Sequence, residues 1–439
     1  MKEVAKQIFL ETLAAIDVAA ALDRKLDRRG STICLEGLGE PTPTRLDLRD
    51  YRQILAIAFG KAAFPMAQAL QQNLAPDFSP DGILVTPVKP PRSLPNWTSY
   101  VGGHPVPTEG SFTAARAILD RLRRATKDTL IFFLLSGGGS ALVDLPLNAE
   151  VSLADFQSLH NALVTCGAPI EEINAIRKHL SATKGGRLAL AAPHSTKITL
   201  AISDVPPGNE SALASGPTLP DPTTLAVVNR IVAHYQLLPT LPVSLRKLIE
   251  RHALKESPKP GNPGFAHSSF TLILSGTDLV HHAHLAAEAH GFQCIVDRTV
   301  DGWPLDRAAD HLLTLLHRLQ QECAGAPVAV IVTGEMSSPV TGKGIGGRNS
   351  AFALACAERI GGKKIAVLSA GTDGIDGNSL GAGAVADGET LNRARELGLD
   401  ARDYFSRSDA FTFFEKLGDA IVTGHTGNNL RDLQVLIAW

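Results

Sequence analysis

The chain has 439 residues, of which 44% are hydrophobic and 5% aromatic, so its cores must be built mainly from aliphatic side chains. Its 39 Gly and 27 Pro are too few for a fibrous or disordered chain. With 42 Lys and Arg against 44 Asp and Glu, the formal net charge of -2 supplies no global positive field for nucleic acid or an anionic membrane. The positions of the glycines are then the informative feature, because clustered glycine marks tight turns and close approach to a ligand.

The sequence favours a cytoplasmic location. The five cysteines are scattered, with no pair at the spacing of a metal or redox motif, as in a reduced intracellular protein. Glu3, Glu11 and Asp17 interrupt the apolar core that an N-terminal signal peptide needs. The most continuous apolar run, residues 130–135, is far shorter than the ~20 residues of a membrane span. We expect small-molecule partners, no nucleic acid and no membrane; the sequence does not decide between a monomer and a homodimer.

Short apolar runs that end in Gly, Ser or Asp and lead into helical patterns recur along the chain. This pattern is typical of β-α units and of a largely parallel sheet. A Pro- and Gly-rich segment at 255–268 predicts a boundary between two α/β domains near residue 260. The predicted strands are 54–59, 82–86, 129–135, 198–202, 271–274, 294–296, 328–332, 365–368 and 420–422.

Ligands of open α/β sheets bind at the carboxyl ends of the strands, so the loops that follow the strands are the candidate sites. Lys61 follows strand 54–59 and precedes a helix, whose N-terminus favours anions; a solvated lysine after a turn is an equal alternative. The loop 136–140 follows strand 129–135 and can point successive N–H groups into one concavity. It is not a Walker loop, because no Gly-Lys-Ser/Thr follows. It predicts an anion nest formed by Ser136, Gly137, Gly138, Gly139 and Ser140.

Two other segments carry charged residues that have both a functional and a structural interpretation. Lys178 lies near the end of the helix predicted to start at Pro169, where basic side chains also occur at ordinary helix C-termini. Asp204 directly follows strand 198–202, where a carboxylate could hold Mg²⁺ or accept a proton, although Asp also forms turns. Both interpretations stay open for each residue.

The densest glycine cluster, at 341–349, follows strand 328–332 and Glu335. Its spacing formally matches the dinucleotide fingerprint G-x-G-x-x-G, but that fingerprint requires a strand immediately before it, and the predicted strand ends too early. A glycine loop flanked by Lys343 and Arg348 better suits a polyanionic ligand. Arginine can bind a carboxylate or phosphate with two parallel hydrogen bonds.

Acidic residues follow the strand at 365–368. The spacing of Asp373, Asp376 and Asn378 is not the alternate spacing of an EF-hand loop, so calcium binding of that type is not expected. Mg²⁺ needs only one or two protein carboxylates together with phosphate oxygens of a substrate. Asp373 therefore suits metal binding or general-base chemistry.

In order and in spacing, these segments resemble the glycerate 2-kinase family, many of whose members were formerly labelled hydroxypyruvate reductases. The resemblance runs from the first helix to the C-terminus. The segments that carry it are FGKAA at 59–63, GHPVP at 103–107, LSGGGSAL at 135–142, INAIRKHLS at 173–181, KGGRLA at 184–189, SDVP at 203–206, GKGIGGRN at 342–349 and GTDGIDG at 371–377.

The resemblance implies a Rossmann-like N-terminal domain over residues 1–255, a smaller C-terminal MOFRL domain over 256–439, and an active site in the cleft between them. It implies ATP-dependent phosphorylation of the 2-hydroxyl of D-glycerate, which gives 2-phosphoglycerate and ADP. Lys61 and Arg348 match the family's proposed catalytic lysine and arginine. Departures from the family pattern, which bear on details of metal and substrate binding, occur at Gly208, Asn209, Met336 and Leu380.

Phosphoryl transfer requires the protein to hold the γ-phosphoryl in line with the acceptor hydroxyl and to neutralise its charge. We therefore predict Lys61, Arg348 and Asp373 as catalytic residues, with ATP and Mg²⁺ bound. The candidate metal ligands are Asp204, Glu335 and Asp373. The predicted substrate- and nucleotide-binding residues are Ser136, Gly137, Gly138, Gly139, Ser140, Lys178, Lys343, Gly344, Gly347 and Asp376.

Two other functions stay open on the sequence. One is a nicotinamide-dependent reductase acting on hydroxypyruvate, which would transfer hydride instead of phosphoryl. The other is a non-catalytic sensor of phosphorylated metabolites, which would bind nucleotide or glycerate without turnover.

Overall fold

The computed structural model describes residues 1–439. The helices are α1 Lys2–Ala15, α2 Val18–Lys25, α3 Ala63–Leu74, α4 Glu109–Arg124, α5 Gly139–Leu142, α6 Leu153–Thr165, α7 Ile170–Leu180, α8 Arg187–Leu190, α9 Leu225–His234, α10 Val243–Glu250, α11 Gly276–Ala289, α12 Leu305–Glu322, α13 Arg348–Ile360, α14 Thr390–Glu396, α15 Ala401–Ser406 and α16 Ala410–Leu417. The strands are β1 Asp27–Arg29, β2 Thr32–Leu35, β3 Thr44–Asp47, β4 Gln53–Phe59, β5 Asp81–Thr86, β6 Trp97–Val101, β7 Thr129–Leu135, β8 Thr196–Ile202, β9 Ser268–Leu274, β10 Gln293–Asp297, β11 Val328–Thr333, β12 Ile365–Gly371, β13 Gly383–Asp387, β14 Ala420–Ile421 and β15 Asp432–Ala438.

The N-terminal part of the chain builds a six-stranded sheet in the order β6-β5-β4-β7-β8-β9. The pairs from β6 to β8 are all parallel. This order is that of a doubly wound Rossmann-like sheet, in which the strand order reverses at the first strand. Here the reversal lies between β4 and β7, whose register places Phe59 opposite Leu135. The carboxyl ends of these two strands therefore meet at one point of the sheet edge, which is where such folds bind ligands.

The burial of β7 shows why its sequence forms a central strand. All seven residues, Thr-Leu-Ile-Phe-Phe-Leu-Leu, are buried, as expected for a parallel sheet whose strands are covered on both faces. Phe133 and Leu135 join one apolar core with Ile57 and Phe59 of β4. A separate small antiparallel sheet of β1, β2 and β3 precedes this fold.

The C-terminal part builds a second six-stranded sheet, in the order β10-β11-β15-β12-β13-β14, and this sheet is mixed. Only β10 and β11 pair in parallel, whereas β15 runs antiparallel to both β11 and β12. The two α/β domains expected from the sequence are confirmed, and all nine predicted strands are present. The expectation of a largely parallel arrangement is wrong for this second sheet, because the unpredicted strands β13 and β15 enter it antiparallel.

The chain divides into two compact units that differ from the predicted division at 255/256. One unit is residues 18–273 and the other is residues 1–17 together with 274–439. Helix α1 belongs to the second unit because its buried face packs on α11, β12, β13 and β15. Residues 256–273 belong to the first unit because β9 completes its sheet. None of the helices combines the length and the apolar character that crossing a bilayer requires.

The central position of β15 gives a stability prediction. Leu436 on β15 is fully buried in the core of the C-terminal unit, whereas Leu380 is 87% exposed. Leu436→Ala should lower the free energy of unfolding by about 2–5 kcal/mol, because it removes buried methyl groups and leaves a cavity. Leu380→Ala, the same chemical change at an exposed position, should stay within about 0.5 kcal/mol of the unsubstituted protein. Urea unfolding followed by circular dichroism measures both, and equal losses would show that β15 is not central.

Candidate active site

The loops after β4 and β7 are joined by backbone hydrogen bonds. The Lys61 N–H donates to the Gly137 carbonyl at 2.9 Å, and the Ala62 N–H donates to Ser136 Oγ at 2.9 Å. Gly60 makes this approach possible: its φ is +130°, and a Cβ there would lie 2.2 Å from Ser136 Oγ. The structure therefore brings Lys61 to the predicted loop 136–140 at the point where the strand order reverses.

The loop 136–140 keeps two backbone donors available. The N–H groups of Ser136 and Gly139 bond to carbonyls of Phe59 and Ser136, but those of Gly137 and Gly138 make none of the hydrogen bonds that hold the loop. Successive N–H groups of this kind form an anion-binding concavity. The Lys61 side chain packs beside them, since its Cγ lies 3.4 Å from the position that a Cβ on Gly138 would occupy. The stem of the Lys61 side chain and the two peptide donors thus lie together.

His104 belongs to the same cluster. It follows β6, and its Cδ2 lies 3.1 Å from the position of a Cβ on Gly138. Partial desolvation of the ring and the positive charge of Lys61 both lower the pKa of His104, so its imidazole is neutral at neutral pH. The sequence analysis used His104 only as part of a family motif. Its position directly after a strand of the sheet is the signal that could have marked it as a site residue.

A buried ionic network supports the far end of the loop. Lys184 Nζ donates to the Ser140 carbonyl and lies 2.9 Å from Asp144 Oδ2. Ser181 Oγ donates to Asp144 Oδ1 at 2.5 Å, and His160 lies 3.4 Å from the same carboxylate. Burial by itself would raise the pKa of Asp144, but the charge of Lys184 and these hydrogen bonds lower it to about 2. The carboxylate stays ionised and holds Lys184 against the loop.

The structure places Lys178, predicted to bind substrate, against Asp221. It is 5% exposed, and its Nζ lies 3.3 Å from Asp221 Oδ1. Asp221 also accepts hydrogen bonds from the hydroxyls of Ser257 and Thr223. Lys178 therefore forms a buried ion pair that holds α7 to the segments around Asp221, which is the structural interpretation of a basic helix end. Asp204 lies, as expected, at the carboxyl end of β8 and is partly exposed.

In the C-terminal unit, Arg348 begins α13 and is held by two carboxylates. Its Nε and Nη2 bind Asp432 at 2.5 and 3.2 Å, and its Nη1 lies 2.9 Å from Glu335 Oε2. Burial by itself would lower the pKa of Arg348, but the hydrogen bonds and charge of Asp432, with the charge of Glu335, raise it above its ordinary value. The guanidinium therefore remains cationic, and its planar group is fixed in one orientation.

Asp432 was not predicted as a site residue. It opens β15 and is 3% exposed, and the antiparallel course of β15 places it at the edge where β11 and β12 end. The apolar run of residues 435–438 is a sequence signal for this strand, although not for its neighbours. Asp373 lies beside it, because Asp373 Oδ1 and Asp432 Oδ1 are 3.1 and 3.4 Å from the position of a Cβ on Gly371.

The carboxylates fit Mg²⁺ only with help from a ligand. No group of three or more His, Cys, Asp or Glu side chains is arranged to hold a metal ion. Glu335, a predicted metal ligand, binds Arg348. Asp373 is partly exposed, and its Oδ1 accepts the Ile375 N–H at 3.0 Å. Since Mg²⁺ takes one or two protein carboxylates plus phosphate oxygens, Asp373 has the donor chemistry that such an ion needs.

The glycine loop 341–347 is held by its own chain rather than open to an anion. Lys343 is exposed, and a Cβ on Gly342 would lie 2.2 Å from the Arg407 carbonyl, so this glycine permits close packing within the chain. The strand before the loop ends at Thr333, which removes the geometry of a dinucleotide fingerprint. The backbone donors and their acceptors are Thr341 and Gly342 to Ser408 Oγ, Gly344 to the Arg407 carbonyl, Ile345 to Asp409 Oδ1, Gly346 to Asn378 Oδ1, and Gly347 to Asp376 Oδ2.

Asp376, predicted to bind nucleotide, caps α13. Its carboxylate accepts the N–H groups of Gly347, Asn349 and Ser350 at 3.1, 2.9 and 2.9 Å and the Ser350 hydroxyl at 2.6 Å. Asp376 is 1% exposed. The positive end of the α13 dipole is therefore already neutralised by the protein, and a ligand anion would have to displace this carboxylate.

The departures from the family pattern lie in different surroundings. Met336 is 4% exposed in the core of the C-terminal unit, so this change alters packing. Leu380 is 87% exposed. Gly208 adopts φ +89° with open space around it, and Asn209 precedes a short 3-10 helix.

Comparisons with known proteins cover both units. Residues 4–250 match the family described as "Domain of unknown function (DUF4147)", and residues 328–432 match the MOFRL family. The chain is 34% identical over 393 residues to the "Glycerate 2-kinase" of Pyrococcus horikoshii, covering 88% of this chain and 87% of that protein. It belongs to the glycerate 2-kinase family. The "D-glycerate 2-kinase" of Thermotoga maritima is 33% identical over 385 residues, covering 87% of this chain and 89% of that protein.

A solved structure agrees with this family membership. The crystal structure of glycerate kinase from Thermotoga maritima has a TM-score of 0.84 and 30% identity, and the match covers 100% of this chain and 99% of that chain. Relatives with another name also exist: a "Putative hydroxypyruvate reductase" of Agrobacterium vitis is 33% identical over 441 residues, covering 99% of this chain and 94% of that protein. The resemblance to the glycerate 2-kinase family predicted from the sequence is confirmed.

The packing of Gly138 generates a prediction for the N-terminal cluster. Gly138 and Gly167 have nearly equal φ values of +81° and +80°, but only Gly138 has neighbours within 4 Å of an added Cβ. Gly138→Ala and Gly167→Ala should each cost about 1 kcal/mol of stability, because alanine is strained in the left-handed region. Only Gly138→Ala should move the His104 imidazole, and with it the NMR-detected titration of that ring. An unchanged His104 titration in Gly138→Ala would contradict the contact.

The cap on α13 generates a second prediction. Asp376→Ala leaves buried N–H groups of the first helical turn without an acceptor and should lower the free energy of unfolding by about 3 kcal/mol or more. Asp400 also caps a helix, through a single hydrogen bond to the Arg402 N–H at 2.9 Å, but is exposed. Asp400→Ala should therefore cost only about 1 kcal/mol. Denaturant unfolding of the two variants compares them, and equal costs would show that the Asp376 carboxylate does not stabilise α13.

Proposed function

We infer that this protein is an ATP-dependent glycerate 2-kinase, which transfers the γ-phosphoryl of ATP to the 2-hydroxyl of the small molecule D-glycerate. The observation that carries the inference is the cluster of Lys61 and the unused N–H groups of Gly137 and Gly138, at the strand-order reversal of a Rossmann-like sheet. It occurs in a chain that matches glycerate kinases over most of its length. Such a cluster binds an anion and offers no feature specific to a nicotinamide ring.

Phosphoryl transfer needs positioning and charge neutralisation more than covalent chemistry from the protein. Lys61 supplies a point charge, and the two peptide donors beside it can donate hydrogen bonds to carboxylate or phosphate oxygens. Arg348 supplies a planar cation, oriented by Asp432 and partly exposed, that can face a second anionic group. We propose that these two cations neutralise the transferring phosphoryl and the glycerate carboxylate. That they act on one substrate molecule stays a prediction.

Asp373 is our candidate for the carboxylate that holds Mg²⁺ or orients the acceptor hydroxyl, with Asp204 as the second candidate metal ligand. Both follow strands directly and are partly exposed. A bound Mg²⁺ would supply positive charge that offsets the negative charge of the phosphoryl group. Of the other predicted carboxylates, Glu335 binds Arg348 and Asp376 caps α13, so the contacts of these two are structural.

The reductase alternative is not favoured. Its sequence motif would be the glycine loop 341–347, but six of the seven backbone donors of that loop, all except that of Lys343, are taken by residues 376–378 and 407–409. A reductase also needs a strand directly before its fingerprint, and β11 ends at Thr333. A sensor of phosphorylated metabolites would bind the same anions but would show no turnover.

The charge roles of Lys61 and Arg348 give a direct test. Lys61→Ala and Arg348→Ala should each reduce kcat/KM for D-glycerate by about 10²-fold or more, because each removes a charge partner of the transition state. ADP release in the presence of ATP, Mg²⁺ and D-glycerate measures the loss, and NADH absorbance with hydroxypyruvate measures the competing activity.

Matched controls remove the same charges elsewhere. Lys127 precedes β7 at the opposite sheet edge and is exposed, and the Arg402 side chain is 88% exposed. Lys127→Ala and Arg402→Ala should retain activity within about 2-fold, because exposed surface charges and exposed ion pairs contribute little. If folded Lys61→Ala and Arg348→Ala turn over within a few-fold of the controls, Lys61 and Arg348 are not charge partners of the transition state.

A further inference from the structure

The Ser140 hydroxyl begins a short chain of buried hydrogen bonds. Ser140 is partly exposed at the end of the loop 136–140, and its Oγ lies 2.8 Å from Ser215 Oγ. Ser215 Oγ in turn donates to Asn174 Oδ1 at 3.0 Å. Ser215 and Asn174 are 1% and 5% exposed, so water does not compete with the bond between these two residues.

The direction of this chain follows from the number of protons. A serine hydroxyl has one proton and two lone pairs. Because Ser215 gives its only proton to Asn174, the bond between the two serines must be donated by Ser140. Ser140 Oγ then has no proton left for a ligand, and a free lone pair of this oxygen can only accept a hydrogen bond. Ser140 is thus an acceptor, in a loop whose peptide groups are donors.

The backbone fixes Ser215 in this role. Ala214 and Ser215 adopt φ +49° and +60°, and both are buried, non-glycine residues in the left-handed region. Such conformations are strained and persist only where the surroundings enforce them. Here the Gly185 N–H donates to the Ser215 carbonyl at 3.1 Å, and Lys184 binds the Ser140 carbonyl. The strained backbone at Ala214 and Ser215 therefore positions the Ser215 hydroxyl that contacts Ser140.

We propose that Ser140 Oγ accepts a hydrogen bond from a hydroxyl of D-glycerate, with Ser215 and Asn174 as the positioning residues that make it an acceptor. The proposal rests on the proposed function. A hydroxy acid carries an anionic carboxylate and a hydroxyl donor on neighbouring carbons. The loop offers the complementary set: donors at Gly137, Gly138 and Lys61, and an acceptor at Ser140. The phosphates of ADP offer oxygen acceptors only and do not match Ser140.

The decisive measurement compares the two ligands. Ser140→Ala should raise KM for D-glycerate about 10-fold, the loss expected for one buried hydrogen bond, and leave kcat nearly unchanged. The Kd of ADP measured by calorimetry should stay within about 2-fold, because Ser140 donates nothing to phosphate. A weaker Kd for ADP, or an unchanged KM for D-glycerate, would overturn the proposal.

A double-substitution cycle tests whether Ser215 acts through Ser140. Ser215→Ala should raise KM for D-glycerate about 3-fold, and should add nothing in the Ser140→Ala background. Ser215→Gly removes the same hydroxyl and also relieves the strained φ, so it should show the same KM change without loss of folding. If the increases in KM caused by Ser140→Ala and Ser215→Ala multiply in the double variant, Ser215 does not act through Ser140.

A matched serine controls for general effects of losing a buried hydroxyl. Ser195 is fully buried and donates to the Thr126 carbonyl at 2.8 Å, before β8 and away from the loop. Ser195→Ala should leave KM for D-glycerate unchanged; an increase like that of Ser140→Ala would overturn the proposal.

Calorimetry of D-glycerate binding separates the proposed kinase function from the proposed role of Ser140. Wild-type protein that binds D-glycerate without turnover contradicts the kinase alone, whereas wild-type protein that binds no D-glycerate contradicts both.

Discussion

Lys61 and Arg348 are each positioned at a place where two backbone segments approach more closely than a side chain larger than glycine would allow. At Gly60 the loops after β4 and β7 touch, since a Cβ there would lie 2.2 Å from Ser136 Oγ. At Gly347 the start of α13 meets Asp376, whose Oδ1 would lie 2.3 Å from a Cβ. The first contact places Lys61 beside two peptide donors, and the second fixes the helix that carries Arg348. The positions of both candidate catalytic cations therefore depend on glycine.

The two glycine clusters nevertheless serve opposite purposes. The loop 136–140 keeps the N–H groups of Gly137 and Gly138 out of its internal hydrogen bonds, so that they are available to an anion. The loop 341–347 uses its N–H groups to bind the chain at 376–378 and 407–409. A glycine-rich sequence alone does not distinguish a ligand site from a tightly packed loop. The distinction lies in whether the peptide donors already have partners.

Sequence reasoning succeeded where the signal is local. A strand followed by Gly-Lys or by three glycines predicts a loop at the sheet edge, and the structure places Lys61 and Ser136 to Ser140 there. Partners that come from far along the chain carry no such local signal. Nothing near Asp376 indicates that it caps α13, and nothing near Lys178 indicates its ion pair with Asp221. Asp432 binds Arg348 across 84 positions, through a central strand that the pattern analysis did not identify.

A chain of near-zero net charge can still bind anionic substrates if it holds a few cations in fixed positions. Its useful charges are few and are held by carboxylates that set their orientation, as Asp432 and Glu335 do for Arg348. Such pairs keep the cation ionised and reduce the cost of ordering it when a ligand arrives. The imidazole of His104, kept neutral by burial and by the charge of Lys61, adds a polar group there without a second positive charge.

The most direct test of the central claim is to identify the product formed by the wild-type protein from ATP, Mg²⁺ and D-glycerate, using ³¹P NMR together with ADP quantification. We expect 2-phosphoglycerate and ADP in equal amounts, with no product when D-glycerate is omitted. Formation of 3-phosphoglycerate instead, or ADP without a phosphorylated acid, would contradict the central claim.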